Sequence, residues 1–176
     1  MAPLRHLAHR FFGSLWPVGP SREDSAWAEA LLLPGEVGLW RLMSGADRRH
    51  AIGVTRRVAE MLGQGSEPVG RPVMAAALLH DVGKIDARLG TYGRVVATVA
   101  GRLAGPSAPK DWSRTRGFTR RVGLYLRHAP LGADRLQMVG SDPFTVTWAA
   151  EHHLPPEEWT VSPLEVAWAL KRADDD

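Results

Sequence analysis

Residues Leu78-Leu79-His80-Asp81-Val82-Gly83-Lys84-Ile85 set a histidine, an aspartate and a lysine into an otherwise apolar, alanine-rich run that opens at Pro72. Imidazole nitrogen and carboxylate oxygen are good ligands for first-row divalent metals, and one carboxylate has oxygens enough to bridge two ions. Pro72 suits a helix start, and Met74 through Leu79 favour a helix that is normally buried. A His-Asp pair at its end is costly there unless a partner or a metal compensates it. If the helix runs on, Lys84 lies on the same side, four residues after His80 and three after Asp81. Its ammonium would then sit beside any phosphate held by the pair. A lone His-Asp dipeptide is more often a polar pair satisfied by backbone or water. Here His50, His128, His152-His153 and Asp174 supply further ligand types.

The elements that must position them can be read from periodicity. From Glu36 a long helical pattern puts Trp40, Met43, His50, Val54 and Met61 on one stripe, so His50 points inward. Asp47 lies three residues earlier and suits an acceptor that orients His50. Arg49, with Arg48, Arg56 and Arg57, flanks the stripe, either reaching a phosphate or forming a solvated face. Phe118, Val122, Tyr125 and Leu126 mark a helix with His128 at its end. Ser141 or Asp142 can cap a further helix that has Pro143 in its first turn. On it Phe144, Trp148 and His152 are spaced by four, as are Thr145, Ala149 and His153. The two histidines therefore point about 100° apart, and one centre need not use both. Ser162-Pro163-Leu164-Glu165 has the form of a capping box. In the helix that follows, Ala167, Leu170 and Asp174 share a face, which turns Asp174 inward. This set without sulfur suits iron, manganese, cobalt, nickel or zinc and does not choose among them.

In order, His50, His80-Asp81 with Gly83-Lys84, His128, His152-His153 and Asp174 resemble the HD-domain superfamily of metal-dependent phosphohydrolases. The resemblance is to the multi-histidine branch related to the HD-GYP phosphodiesterases, and it covers about residues 35–176. It implies an all-α HD-type bundle of about six to eight helices around a metal site. It also implies two divalent metal ions: one on His50, His80, Asp81 and Asp174, the other on bridging Asp81 with His128 and His152. A metal lowers the pKa of its water from 15.7 towards about 7, which gives a hydroxide nucleophile at neutral pH. Asp81 and Lys84 would carry the catalysis, Lys84 by offsetting charge on the phosphoryl oxygens. His153, Asp47 and Arg49 would stand behind the ligands or face the substrate. The reaction implied is hydrolysis of a phosphate ester, with nucleotides among the candidate substrates.

The chain departs from that branch in three places. Leu154-Pro155-Pro156-Glu157 follows the histidine pair where the branch has Gly-Tyr-Pro, Ala46 stands where three-metal members have glutamate, and the gap from Asp81 to His128 is long. These departures argue against a cyclic dinucleotide and a third metal. A non-catalytic signalling or scaffold module is the alternative, but its hallmark, loss of the ligands, is missing here.

The bulk properties fit an ordinary soluble globular protein. At 176 residues, with 44% hydrophobic and 23% charged, the sequence suits one HD-type domain over 21–176 behind an arm of residues 1–20. Within that arm Leu4, Leu7, Ala8, Phe11 and Leu15 recur at helical spacing among Arg5, His6, His9 and Arg10. Such a segment suits a membrane surface or a partner, and more often packs on its own domain or stays mobile. The absence of cysteine excludes disulfides and thiolate sites and fits a cytoplasmic protein. No apolar run approaches the roughly 20 residues that cross a bilayer. The net charge is a modest +3 with nearly all cations arginine. That suits anionic partners such as nucleotides, nucleic acid or lipid head groups, or equally reflects codon usage, and it does not favour nucleic acid. The small phosphorylated substrate is what the resemblance implies. Leu89, Tyr92, Val95, Val96, Val99 and Leu103 predict one more helix, and Lys110–Arg121 reads as a solvated loop.

Overall fold

The computed structural model describes residues 19–63, 69–105 and 107–176. All but the last two residues of the basic arm lie outside them, as does most of the loop expected around Gly65-Ser66. Among the described residues the protein is an all-helical bundle with no strand. Its helices are α1 (Arg22–Ala30), α2 (Pro34–Leu42), α3 (Gly45–Leu62), α4 (Arg71–Leu79), α5 (Thr91–Leu103), α6 (Ala108–Ser113), α7 (Gly117–Leu126), α8 (His128–Met138), α9 (Pro143–Glu151) and α10 (Leu164–Asp175). Short 3₁₀ turns occupy Val82–Asp86 and Pro156–Glu158. The described residues hold ten α-helices where six to eight were expected, and one of the added divisions is made by a serine cap.

The clearest division falls inside the stripe from Trp40 to Met61. Met43 and Ser44 are extended, and the Ser44 hydroxyl accepts the Asp47 amide at 3.1 Å, which starts α3 afresh. Trp40, Met43 and Val54 remain buried, but Met61 is 36% exposed. Asp142 caps α9 by accepting the Phe144 amide at 2.8 Å. The capping box expected at Ser162 does not form, because α10 starts at Leu164 with Pro163 as its cap residue and no side-chain cap. Lys110–Arg121 is not a loop, since α6 and the start of α7 occupy most of it.

The alanine-rich run is the centre of the bundle. Every residue of α4 from Met74 to Leu79 is buried, as expected of a helix that is apolar all round. Ala75, Leu78 and Leu79 join Trp40, Ile52 and Leu136 in one cluster. Ala76 and Ala77 face a second, with Val54, Val58, Trp148 and Leu170. Burial of a side chain such as Leu78 contributes about 1.5–3 kcal/mol. A third cluster of Ala87, Leu89, Ala97, Val122 and Leu124 joins α5 and α7 beside the 3₁₀ turn. The apolar stripe read around α5 behaves differently: Leu89, just before the helix, is buried, but Tyr92, Val95, Val96, Val99 and Leu103 face solvent, and among the described side chains of α5 Ala97 alone is buried.

Candidate metal centre

α4 does not continue into Lys84. It stops at Leu79, with His80 as its C-cap residue and the 3₁₀ turn from Val82 following. The expected proximity of Lys84 to Asp81 survives, because residues three apart eclipse one another in a 3₁₀ turn. Lys84 Nζ donates to Asp81 Oδ2. Gly83 makes the placement possible. A Cβ there would fall 2.6 Å from the Gly132 amide nitrogen, and Gly132 in turn lies close against the Gly83 backbone. The Asp86–Arg135 ion pair ties the far end of the turn to α8. The turn therefore presses Asp81 against the start of α8, where His128 stands.

Three histidines share one local device. His80 and His152 are the C-cap residues of α4 and α9, and His128 follows the last turn of α7. Their Nδ1 atoms lie 2.9 Å from Ala77 O, 3.0 Å from Ala149 O and 2.7 Å from Tyr125 O. Each acceptor is the carbonyl three residues earlier, in a last helical turn whose carbonyls lack intrahelical partners. A carbonyl can only accept, so Nδ1 carries the proton in all three rings. The Nε2 atoms are left to face inward. Those of His80 and His152 are buried without a hydrogen-bond partner, which is costly unless a ligand takes them up.

All the inward atoms surround Asp81. Its Oδ1 lies 3.1 Å from His128 Nε2 and 3.8 Å from His152 Nε2, and its Oδ2 lies 3.5 Å from His80 Nε2. Asp174 Oδ1 lies 3.5 Å from His80 Nε2 and 2.9 Å from His50 Nε2. Asp174 is held near the end of α10, where Arg57 donates to Ala173 O at 2.9 and 2.7 Å. Two groups result, His50 with His80 and Asp174, and Asp81 with His128, His152 and His153. Within each group the ligand atoms lie within 4.8 Å of one another, and each group could hold a metal ion. Ligands around an ion with bonds of about 2.1 Å stand roughly 3 Å apart, close to the shorter separations here.

The electrostatics suit a cation. Burial alone would lower His80, but Asp81 and Asp174 outweigh it and push it up to about 9. A divalent ion would compete with that proton. Burial also opposes ionisation of Asp81, yet Lys84, His80 and His128 hold its carboxyl well below the usual range. His152 is pushed well down by burial, then by His153 and His80, and so keeps the neutral form that metals bind. His153 is lowered to about 4, by burial of its inward edge and then by His128. The aspartate oxygens and histidine nitrogens thus fit a hard or borderline divalent ion.

Among the remaining sequence candidates, His153 joins the cluster. Its ring lies 4.0 Å from that of His152, centroid to centroid, and its Nε2 is 3.0 Å from His128 Nε2. The 100° divergence does not separate the pair, because α9 ends at Glu151 and both rings lie beyond it. Asp47 does not serve His50. Its carboxylate oxygens are taken by Arg94 at 2.5 and 2.7 Å and by the Ser44 hydroxyl at 2.6 Å. Arg49 is half-buried on α3 beside His50.

Two supporting residues escaped the sequence reading. Arg94, on a helix with no ligand, neutralises Asp47. Glu151 accepts from the Thr160 and Val161 amides at 2.8 and 3.1 Å, anchoring the segment beyond the histidine pair. Its place directly before His152-His153 was the one available signal. Compared with protein-family models, curated proteins and solved structures, the chain matches none.

Proposed function

We propose that this protein is an HD-type metal-dependent phosphohydrolase or phosphodiesterase. It would hold two divalent ions, on His50, His80, Asp81 and Asp174 and on Asp81, His128 and His152. What supports the reading most is the repeated device at three helix ends, which aims three Nε2 atoms at one aspartate. A structural polar cluster would satisfy those atoms within the protein, whereas two of them are buried without a partner. When bound, such ions supply Lewis acidity and an activated water at neutral pH. The protein's own groups do the rest. Asp81 offers one oxygen to each ligand group, and Lys84 stands beside it with an ammonium kept charged by Asp81 despite its burial. With Asp81 engaged by metal, Lys84 is placed to pair with a phosphoryl oxygen and offset its developing charge. His153, at the exposed edge, is either a further ligand of the second ion or a contact to the substrate.

The test is metal analysis of the purified protein, followed by an activity screen with Mn²⁺, Fe²⁺, Co²⁺, Ni²⁺ and Zn²⁺. Phosphodiesters are compared with phosphomonoesters, and nucleotides follow. Metal bound in ratio to chain with hydrolysis that Asp81→Ala removes is the expected result. A protein that retains no metal under any loading would overturn the reading.

A further inference from the structure

Lys84 has a second neighbourhood. It also lines a cavity of about 250 Å³, with no histidine in its wall, between α2, the starts of α3 and α5, and the 3₁₀ turn. Leu42, Ile85 and Leu89 give this cavity an apolar wall, while Lys84, Arg88 and Arg94 bring three cations to it. Asp47 is the one carboxylate in the lining, and Arg94 engages it through both oxygens. Lys84 is engaged by Asp81. Arg88 is exposed and makes no ion pair among the described residues. Its backbone has φ 49°, a left-handed conformation that costs a non-glycine residue about 1–2 kcal/mol. Neighbouring contacts impose it: Ala87 and Leu89 are buried on either side, and Arg121 Nε donates to Ala87 O at 2.9 Å. Gly90 then opens α5 with no side-chain cap, so the positive end of that helix faces the same space.

We propose that this cavity receives a second anionic group of the substrate, so that the enzyme acts on small molecules bearing two oxyanions rather than on simple monoesters. The inference rests on the hydrolase reading, which places the reacting phosphoryl group at the histidine cluster, where Lys84 contacts Asp81. The second oxyanion, phosphate or carboxylate, pairs with Arg88, while the apolar wall covers the carbon skeleton between the two charges. Arg88 supplies two parallel donors suited to such a group. Phosphate and carboxylate share this chemistry, and probes of each kind separate them.

The probes are matched pairs: fructose 6-phosphate with fructose 1,6-bisphosphate, adenosine 5′-monophosphate with adenosine 3′,5′-bisphosphate, and glycerol 3-phosphate with 3-phosphoglycerate. Each is titrated calorimetrically into Mn²⁺-loaded wild type, Arg88→Gln and Arg88→Gly. Glycine suits the backbone at this position, so the second variant loses the cation without strain. The expected result is a preference of about tenfold or more for at least one partner with two anionic groups, reduced to about threefold or less in both variants. Binding of the members with one anionic group without any such preference, or a preference that survives both substitutions, overturns the cavity assignment and leaves the metal centre standing. A protein that retains no Mn²⁺ and binds no probe overturns both.

Discussion

Gly83 and Gly132 meet backbone to backbone, and a Cβ on Gly83 would overlap the chain of α8 at its Gly132 amide and at the carbonyl of His128. This contact sets the distance between Asp81 and His128, two residues from different parts of the fold. Gly83→Ala should therefore cost about 3 kcal/mol or more, since the obstructing atoms are backbone and cannot swing aside. Gly132→Ala should cost less, because its closest contact is 3.1 Å. Urea unfolding of both variants measures the difference, and equal stabilities would remove the contact from the account.

Asp81 belongs to one ligand group and lies 3.5 Å from His80 of the other, so the proposed mechanism has it bridge both ions. Asp81→Ala should reduce bound metal to less than one ion per chain and abolish hydrolysis. The fold should persist, because the aspartate is itself a buried charge that metal-free protein must accommodate. Circular dichroism with metal analysis on the same sample tests this. Retained turnover in a protein of verified composition would exclude the proposed mechanism.

The two groups can be separated by stoichiometry. His128→Ala should leave about one metal per chain, with activity greatly reduced, while His50→Ala disturbs the group that contains His80 and Asp174. His153→Ala should be milder, weakening one site by about tenfold or more without emptying it. Calorimetric titration of the apo variants with Mn²⁺ distinguishes these outcomes. If His153→Ala binds both ions as tightly as wild type, His153 faces substrate and not metal.

Asp47 predicts a pH dependence away from the ligands. Burial opposes its ionisation, but Arg94 and then Lys84 outweigh burial and hold its carboxyl below the usual value. A carboxyl with a lowered folded pKa stabilises the protein above the unfolded value of about 3.9, and that stability is lost as pH falls through the folded value. Asp47→Asn should thus lower stability at pH 7 by about 2 kcal/mol and flatten the acid limb below pH 4. Unfolding curves at pH 7 and pH 3.5 check the sign: the gap between wild type and variant must shrink at the lower pH.

The chemistry-bearing residues and the helical class were legible in the sequence because both are local properties. The polar interruption after Leu79 in an apolar alanine-rich run, and the inward face shared by Leu170 and Asp174, follow from residue types and a 3.6-residue period. Periodicity could not say where α2 gives way to α3, because the Ser44 hydroxyl competes with the helix for its own amide donors. Nor could it assign Asp47, whose partner Arg94 is forty-seven positions away, or show that the apolar stripe of α5 faces water. Only the tertiary structure decided how the histidines are used. Whether an imidazole at a helix end turns its Nδ1 onto the last free carbonyls, and where its Nε2 then points, depends on which helices end beside one another. That is settled by packing around α4 and by a glycine contact too close for any side chain, and neither is written in the spacing of the ligands.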